Sequence, residues 1–289
     1  MAELIQILRH VLETKDPQLP NETRRIVIKE ALQSYLLDFI YNHPRYRQLN
    51  FYGGTCLHVI YGLNRLSEDI DLDNTPGVNT TPLADDLLVY IQKRLAYPEV
   101  TFKAQQSSSD ILHITLKFPF LAALDLTRDP GEALHVRLDI SQHVQLSELH
   151  HTPVIFYSHS FVPVHFSLET MMAAKILACL ERSYVRGHSA VSVKGRDYYD
   201  LLWMMQQNVR PLEVKLAQEG KVPYSVQTAF QTLKEKVAQI PVSALAEDLS
   251  PLFEQRNFIE AWLKHFHENF NMLAESYIQT GRIALRTLS

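Results

Sequence analysis

Cysteine is nearly absent: Cys56 and Cys179 are the only two in 289 residues. Two cysteines cannot build a four-cysteine zinc site or a disulfide framework, so a reducing, cytoplasmic setting is expected. No stretch approaches 18 uninterrupted apolar residues, and the first residues, Glu3 among them, lack the charged-then-apolar pattern of a signal peptide. No membrane association is therefore expected. An excess of basic charge is missing too, since 28 Lys and Arg against 32 Asp and Glu leave a formal −4. No global field advertises nucleic acid, and such a site must rest on a local patch or on bound cations. What remains is ordinary: 46% hydrophobic and 21% charged residues describe a globular chain. Its length suggests two domains at about 150 residues each.

Glycine is scarce at nine residues, less than half the usual share of about 7%. Five of the nine (Gly53, Gly54, Gly62, Gly187, Gly195) fall in two short segments. Clustered glycine marks backbone that turns sharply or approaches something closely. Helical spacing predicts a helix over Thr23–His43, stopped by Pro44. A strand at Leu49–Tyr52 leads through Gly53-Gly54 into a short helix, Thr55–Tyr61, closed by Gly62. Alternation predicts strands at Asp69–Asp73, Ile111–Phe118 and Leu134–Ile140, with a helix at Ala84–Leu95. From Ser167 onward only helical periods appear: 168–182, 197–207, 214–220, 224–240 and 243–277. The reading is an α+β chain, a mixed domain over 1–165 followed by a helical domain over 166–289.

The first candidate constellation joins Gly53-Gly54-Thr55 to Asp69-Ile70-Asp71. Residues i and i+2 of a strand share a face, so the two carboxylates project together. Two such charges about 5 Å apart repel by roughly 3 kcal/mol at an effective dielectric near 20. A divalent cation reverses that sign, and a carboxylate pair with room for water and phosphate oxygens suits Mg²⁺, with Mn²⁺ as a substitute. The glycine pair, between strand and helix, offers backbone N–H groups to an anionic phosphate. Metal and phosphate cradle together imply nucleotide chemistry, with an NTP as substrate. The bland alternative is a tight turn followed by an exposed acidic edge strand.

A second candidate is Asp139, which shares the polar face of its strand with His135 and Arg137. A two-metal transfer site needs a third carboxylate on a separate element, and Asp139 is the right kind of donor. The third lies between Ser167 and Asp200. Lys175 falls within the apolar stripe of its helix, where it either snorkels to solvent or binds a triphosphate. Arg182, Arg186, Lys194 and Arg196 form an acid-free basic stretch able to hold RNA phosphates, with Lys194 also available to the nucleotide. Asp197 and Asp200 follow at i, i+3, and Arg196–Asp200 at i, i+4 has the spacing of a helix-surface ion pair. His150-His151, His265 and His267 lack matching ligands, Tyr198, Tyr199 and Trp203 read as core, and Cys56 as packing.

Phe51-Tyr-Gly-Gly-Thr55 with Arg65-Leu-Ser-Glu-Asp-Ile-Asp-Leu72 resembles the first motif of the AbiEii/AbiGii family of nucleotidyltransferase toxins. Ser167-Leu-Glu169, Ala174-Lys175 and Lys194-Gly-Arg-Asp-Tyr-Tyr-Asp-Leu201 resemble its later motifs, so the likeness spans roughly 25–205. The resemblance implies a polymerase-β-like nucleotidyltransferase domain followed by a helical domain, with the active site between them. It implies a type IV toxin–antitoxin or phage-defence role, a cognate antitoxin from the same operon, and, as in the related MenT toxins, transfer to the tRNA 3′ end. Carried over by motif, Asp69 and Asp71 are metal ligands, Lys175 and Asp197 a functional pair, and Ser67 a neighbour of the site. The competing readings are a same-fold enzyme modifying a small molecule or protein, and a non-catalytic nucleotide-binding module.

Overall fold

The structure is a computed structural model describing residues 3–182 and 193–287. The chain forms two compact units, one of 1–145 with 149–166, the other of 146–148 with 167–289.

The first unit begins with helices α1 (Glu3–Glu13) and α2 (Asn21–Asn42). Pro44 disfavours helical backbone in the residue before it, and His43 is accordingly extended. Strand β1 (Asn50–Tyr52) runs directly into α3 (Gly53–Tyr61), so the helix starts at the glycine pair itself. Gly62 closes α3 in the left-handed region at φ +75°, its N–H donating back to the His58 carbonyl. Then come β2 (Asp69–Asp73), α4 (Leu83–Arg94), β3 (Thr101–Gln106), β4 (Ile111–Phe118) and β5 (Leu134–Ser141). Four three-residue strands finish the unit: β6 (Leu149–His151), β7 (Val154–Phe156), β8 (His159–Phe161) and β9 (Val164–Phe166).

Seven strands make one mixed sheet in the order β3-β4-β5-β2-β1-β9-β6, and β7 pairs with β8. The acidic strand β2 is interior, parallel to β5 and antiparallel to β1. The edge-strand alternative therefore falls away. Phe51, Leu57, Ile70, Leu72, Ile114, Leu138 and Ile140 are fully buried at its core.

The second unit is helical: α5 (Leu168–Glu181), α6 (Gly195–Gln206), α7 (Glu213–Glu219), α8 (Val226–Val237), α9 (Val242–Leu249) and α10 (Arg256–Thr287). Ser167 caps α5 by accepting from the Thr170 N–H. The single helix expected over 243–277 is two, separated by a 3-10 turn at Ser250–Leu252. Pro251 lacks the N–H that would continue the helical ladder, and its ring crowds the preceding turn. Among the described residues no helix is long and apolar enough to cross a membrane.

Candidate active site

Strand register assembles the acids of the first unit. Asp71 stands beside Asp139 on β5 and beside Tyr52 on β1, while Asp69 stands beside Arg137. Asp69, Asp71 and Asp139 thus share one face of the sheet, all partly exposed. Burial, joined by the charges of Asp71, Asp73 and Asp139, pushes the Tyr52 hydroxyl well above its ordinary pKa. Asp73 is different: it is fully buried and accepts from Asn50 Nδ2, the Thr75 N–H and hydroxyl, and Gln145 Nε2. It anchors the end of β2.

The glycine pair is explained by what lies against it. Gly53 has φ +78°, and a Cβ there would overlap the Asp71 carboxylate. A Cβ on Gly54 would come within 2.5 Å of Arg65 Nη2, and Arg65 is itself buried. The bare backbone at the start of α3 is what lets the acid strand and the helix N-terminus converge. Tyr52, at the N-cap, provides no side-chain cap, and the helix end favours an anion. The Thr55 hydroxyl donates to the Asp69 carbonyl and lies 2.8 Å from Ser67 Oγ, both residues being buried. Those two hydroxyls clasp α3 onto β2.

Gly53→Ala is expected to misplace Asp71. Left-handed backbone costs a non-glycine residue about 1–2 kcal/mol before the overlap is counted. A thermal melt lowered by several degrees, with transfer reduced far more than the lost folded fraction accounts for, is the expected result. A variant matching the parent in both would show that Asp71 has room to move.

Asp139 is held by two neighbours. Its Oδ1 receives Arg137 Nε at 2.6 Å and lies 2.7 Å from His113 Nδ1. Arg137 Nη2 is 2.8 Å from the same imidazole nitrogen, so one His113 tautomer donates to Asp139 and the other accepts from Arg137. Partial burial works against the Arg137 guanidinium, but the Asp139 hydrogen bond and the charges of Asp139, Asp69 and Asp71 raise its pKa overall. Among the described residues no group of three or more His, Cys, Asp or Glu side chains closes on a common metal point. The paired oxygen donors of Asp69 and Asp71, beside backbone kept bare at Gly53, do suit a hard cation completed by outside ligands. Arg137 and His113 received no role from the sequence; the cue was an arginine sharing Asp139's strand face.

In the second unit Lys175 neither snorkels nor stands alone. Its Nζ lies 2.7 Å from both Asp197 Oδ1 and Asp200 Oδ2, and Arg182 donates to Asp197 Oδ2 at 2.9 Å. The i, i+3 spacing on α6 turns both acids toward α5. Asp200 is fully buried, which excludes the helix-surface pair expected for it. Burial would raise the Asp197 carboxyl, but Lys175, Arg182 and Lys194 outweigh it and hold it well below the carboxylate range. Burial, with Arg196, Lys175 and Arg182 nearby, pulls the Lys194 ammonium down against the Asp197 charge.

Arg196 is directed elsewhere, its N–H donating to Asp248 Oδ2 at 3.0 Å and its Nε 3.8 Å from the same atom. Gly195 is a packing glycine, since a Cβ would sit 3.0 Å from the Leu245 carbonyl. Arg186 and Gly187 lie outside the described residues. His267 binds the Val237 and Ile240 carbonyls, and Cys56 is buried with its thiol pushed up by desolvation, so both are structural.

The depressed Asp197 pKa has a sign. The carboxylate contributes stability at pH above its unfolded value near 3.9, and that contribution is lost as pH falls toward the lower folded value. Acid titration below about pH 4 should therefore loosen the helical unit, and less steeply in Asp197→Asn. Hydrogen exchange in α5 and α6 across that window reads it; equal slopes in both proteins would contradict it.

An interior strand with paired acids, set against an uncapped helix start opened by glycine, is the equipment of an enzyme that handles phosphate esters. The model of the nucleotidyl transferase AbiEii toxin family, type IV toxin–antitoxin system, matches residues 35–279, and the chain belongs to that family. It is a nucleotidyltransferase of the toxin class, with an NTP as substrate and an antitoxin as counterpart. The fold is similar to that of MenT4, the nucleotidyltransferase toxin Rv2826c of Mycobacterium tuberculosis H37Rv. The TM-score there is 0.51 and identity 12%, covering 95% of this chain and 92% of that one. A crystal structure of a candidate nucleotidyltransferase from H. pylori matches at TM-score 0.49 and 17% identity, covering 90% and 96% respectively. No curated protein sequence matches the chain.

Proposed function

We propose that the protein transfers a nucleoside monophosphate from an NTP to the 3′ end of tRNA, in the cytoplasm and with Mg²⁺. The observation carrying this is the Asp69–Asp71 pair on an interior strand, with the Gly53 backbone pressed against Asp71. Asp69 and Asp71 would hold the cation, which supplies Lewis acidity toward phosphate and acceptor oxygens. The acceptor hydroxyl oxygen bonds to the α-phosphorus as the bond to the bridging β-phosphate oxygen breaks, and pyrophosphate leaves.

Backbone N–H groups of Gly54 and Thr55 at the start of α3 donate to phosphate oxygens, since the Thr55 and Ser67 hydroxyls are engaged with each other and with the Asp69 carbonyl. Asp139 completes the acidic set and takes the acceptor proton at Oδ2, the oxygen that neither Arg137 nor His113 engages. Within the helical unit Lys194, a cation disfavoured by burial and by Arg196, Lys175 and Arg182, gains from an anionic phosphate, and Lys175 is held in place by Asp197 and Asp200. Arg182, which donates to Asp197 from a half-exposed position, offers its remaining N–H groups to RNA phosphate. The engagement of Arg196 with Asp248 narrows that basic patch and favours, as a second reading, a small hydroxylated acceptor or a protein.

Incubation with each labelled NTP, Mg²⁺ and total RNA tests the proposal. Label from one nucleotide in the tRNA fraction, lost on chelation, is expected. Label confined to protein or small molecules would overturn the tRNA assignment.

A further inference from the structure

The acidic face carries a cation of its own. Arg137 stands beside Asp69 in the β2–β5 register, and its Nε is 2.6 Å from Asp139 Oδ1. Its side chain is 43% exposed, so a path outward is open. On the protein side the acids form a pair and a tethered third rather than a closed cage.

Building on the nucleotidyl-transfer reading, we propose that Arg137 is a resident counter-ion of the metal-free acidic face, so that the divalent cation enters together with the triphosphate rather than ahead of it. A bare dication approaching Asp69 and Asp71 meets the like charge of the guanidinium. A cation already bound to an NTP arrives with net negative charge and with phosphate oxygens and water filling its shell, the ligand set Mg²⁺ ordinarily uses. Those oxygens are also acceptors matched to the fork of a guanidinium, to which Arg137 can turn. Arg137 is a positioning residue here: it acts through Asp139 and through the field on the acid pair. A purely structural arginine would lower metal affinity when removed, because the acids would lose order.

The test is titration of the nucleotide-free full-length chain with Mn²⁺ alone, free Mn²⁺ being read by electron paramagnetic resonance. Arg137→Gln should bind Mn²⁺ at least about tenfold tighter than the parent, with Arg137→Lys close to the parent because the charge stays. Unchanged or weaker binding by Arg137→Gln with a native circular dichroism spectrum overturns the proposal. Should that variant not fold, the parent decides. A nucleotide-free Mn²⁺ site on the order of micromolar would overturn the proposal, and one on the order of millimolar supports it. None of these readouts involves transfer. Gained Mn²⁺ affinity without any labelled product would keep the counter-ion and remove the transfer reading, and the reverse outcome separates them the other way.

Discussion

Asp71→Asn, and separately Asp69→Asn, should reduce nucleotidyl transfer by at least about a thousandfold while leaving the chain folded. A cation held at a transfer site is worth several kcal/mol of transition-state stabilisation, and about 1.4 kcal/mol is a factor of ten in rate. Asparagine keeps the shape of the side chain, at position 71 against the Gly53 backbone, but removes the charge that on the proposed reading would hold the cation. Stability should hold or rise, because like charges on one strand face repel and Arg137 still has Asp139 as its partner. Single-turnover transfer of labelled nucleotide, alongside a thermal melt, measures both. Parent-like turnover in both variants would remove the acid pair from the chemistry, whatever the melt showed.

Lys175→Met should be the most destabilising single change in the helical unit. On the periodicity of α5 alone a methionine fits that apolar stripe well. The tertiary arrangement reverses the expectation, because the Lys175 ammonium sits between two carboxylates whose side chains are 5% and 0% exposed. Removing the cation from a buried pair of this kind costs about 3–5 kcal/mol, set against a typical total stability of about 5–15 kcal/mol. Arg182 reaches Asp197 from a half-exposed position and compensates only in part. The denaturant midpoint of the α5–α6 region should fall sharply, and Lys175→Met with Asp200→Asn should cost less than the two changes summed. An unfolding free energy within about 1 kcal/mol of the parent would mean that the ion cluster is marginal and that Lys175 matters only to the nucleotide.

Much of the fold was legible because burial leaves a periodic trace. Strands Asp69–Asp73 and Ile111–Phe118 lie where strict alternation places them, since each buries one face. Strand β3 left no trace because it is an edge strand with five of its six residues exposed. Strands β6 to β9 are three residues long, too short to establish a period. The split between α9 and α10 is marked by Pro251, whereas the apolar period on either side of it reads as one continuous helix.

At the site, chain order by itself determined that Asp69 and Asp71 share a face and that a glycine pair lies between the strand and the body of the helix beside them. Motif likeness put Lys175 and Asp197 forward as a pair, which the structure joins by an ion pair. These are relations within one element or carried by a motif. Only the tertiary structure decided that Asp71 lies beside Asp139, 68 positions away, because register between strands is set by which faces the sheet buries. It also decided that Gly53 is required by the Asp71 carboxylate, that Asp200 joins Lys175 in the interior, and that Arg137 stands beside Asp69. Spacing along a chain reports a side chain's direction. The charge that faces it belongs to another element, and long-range packing alone brings the two together.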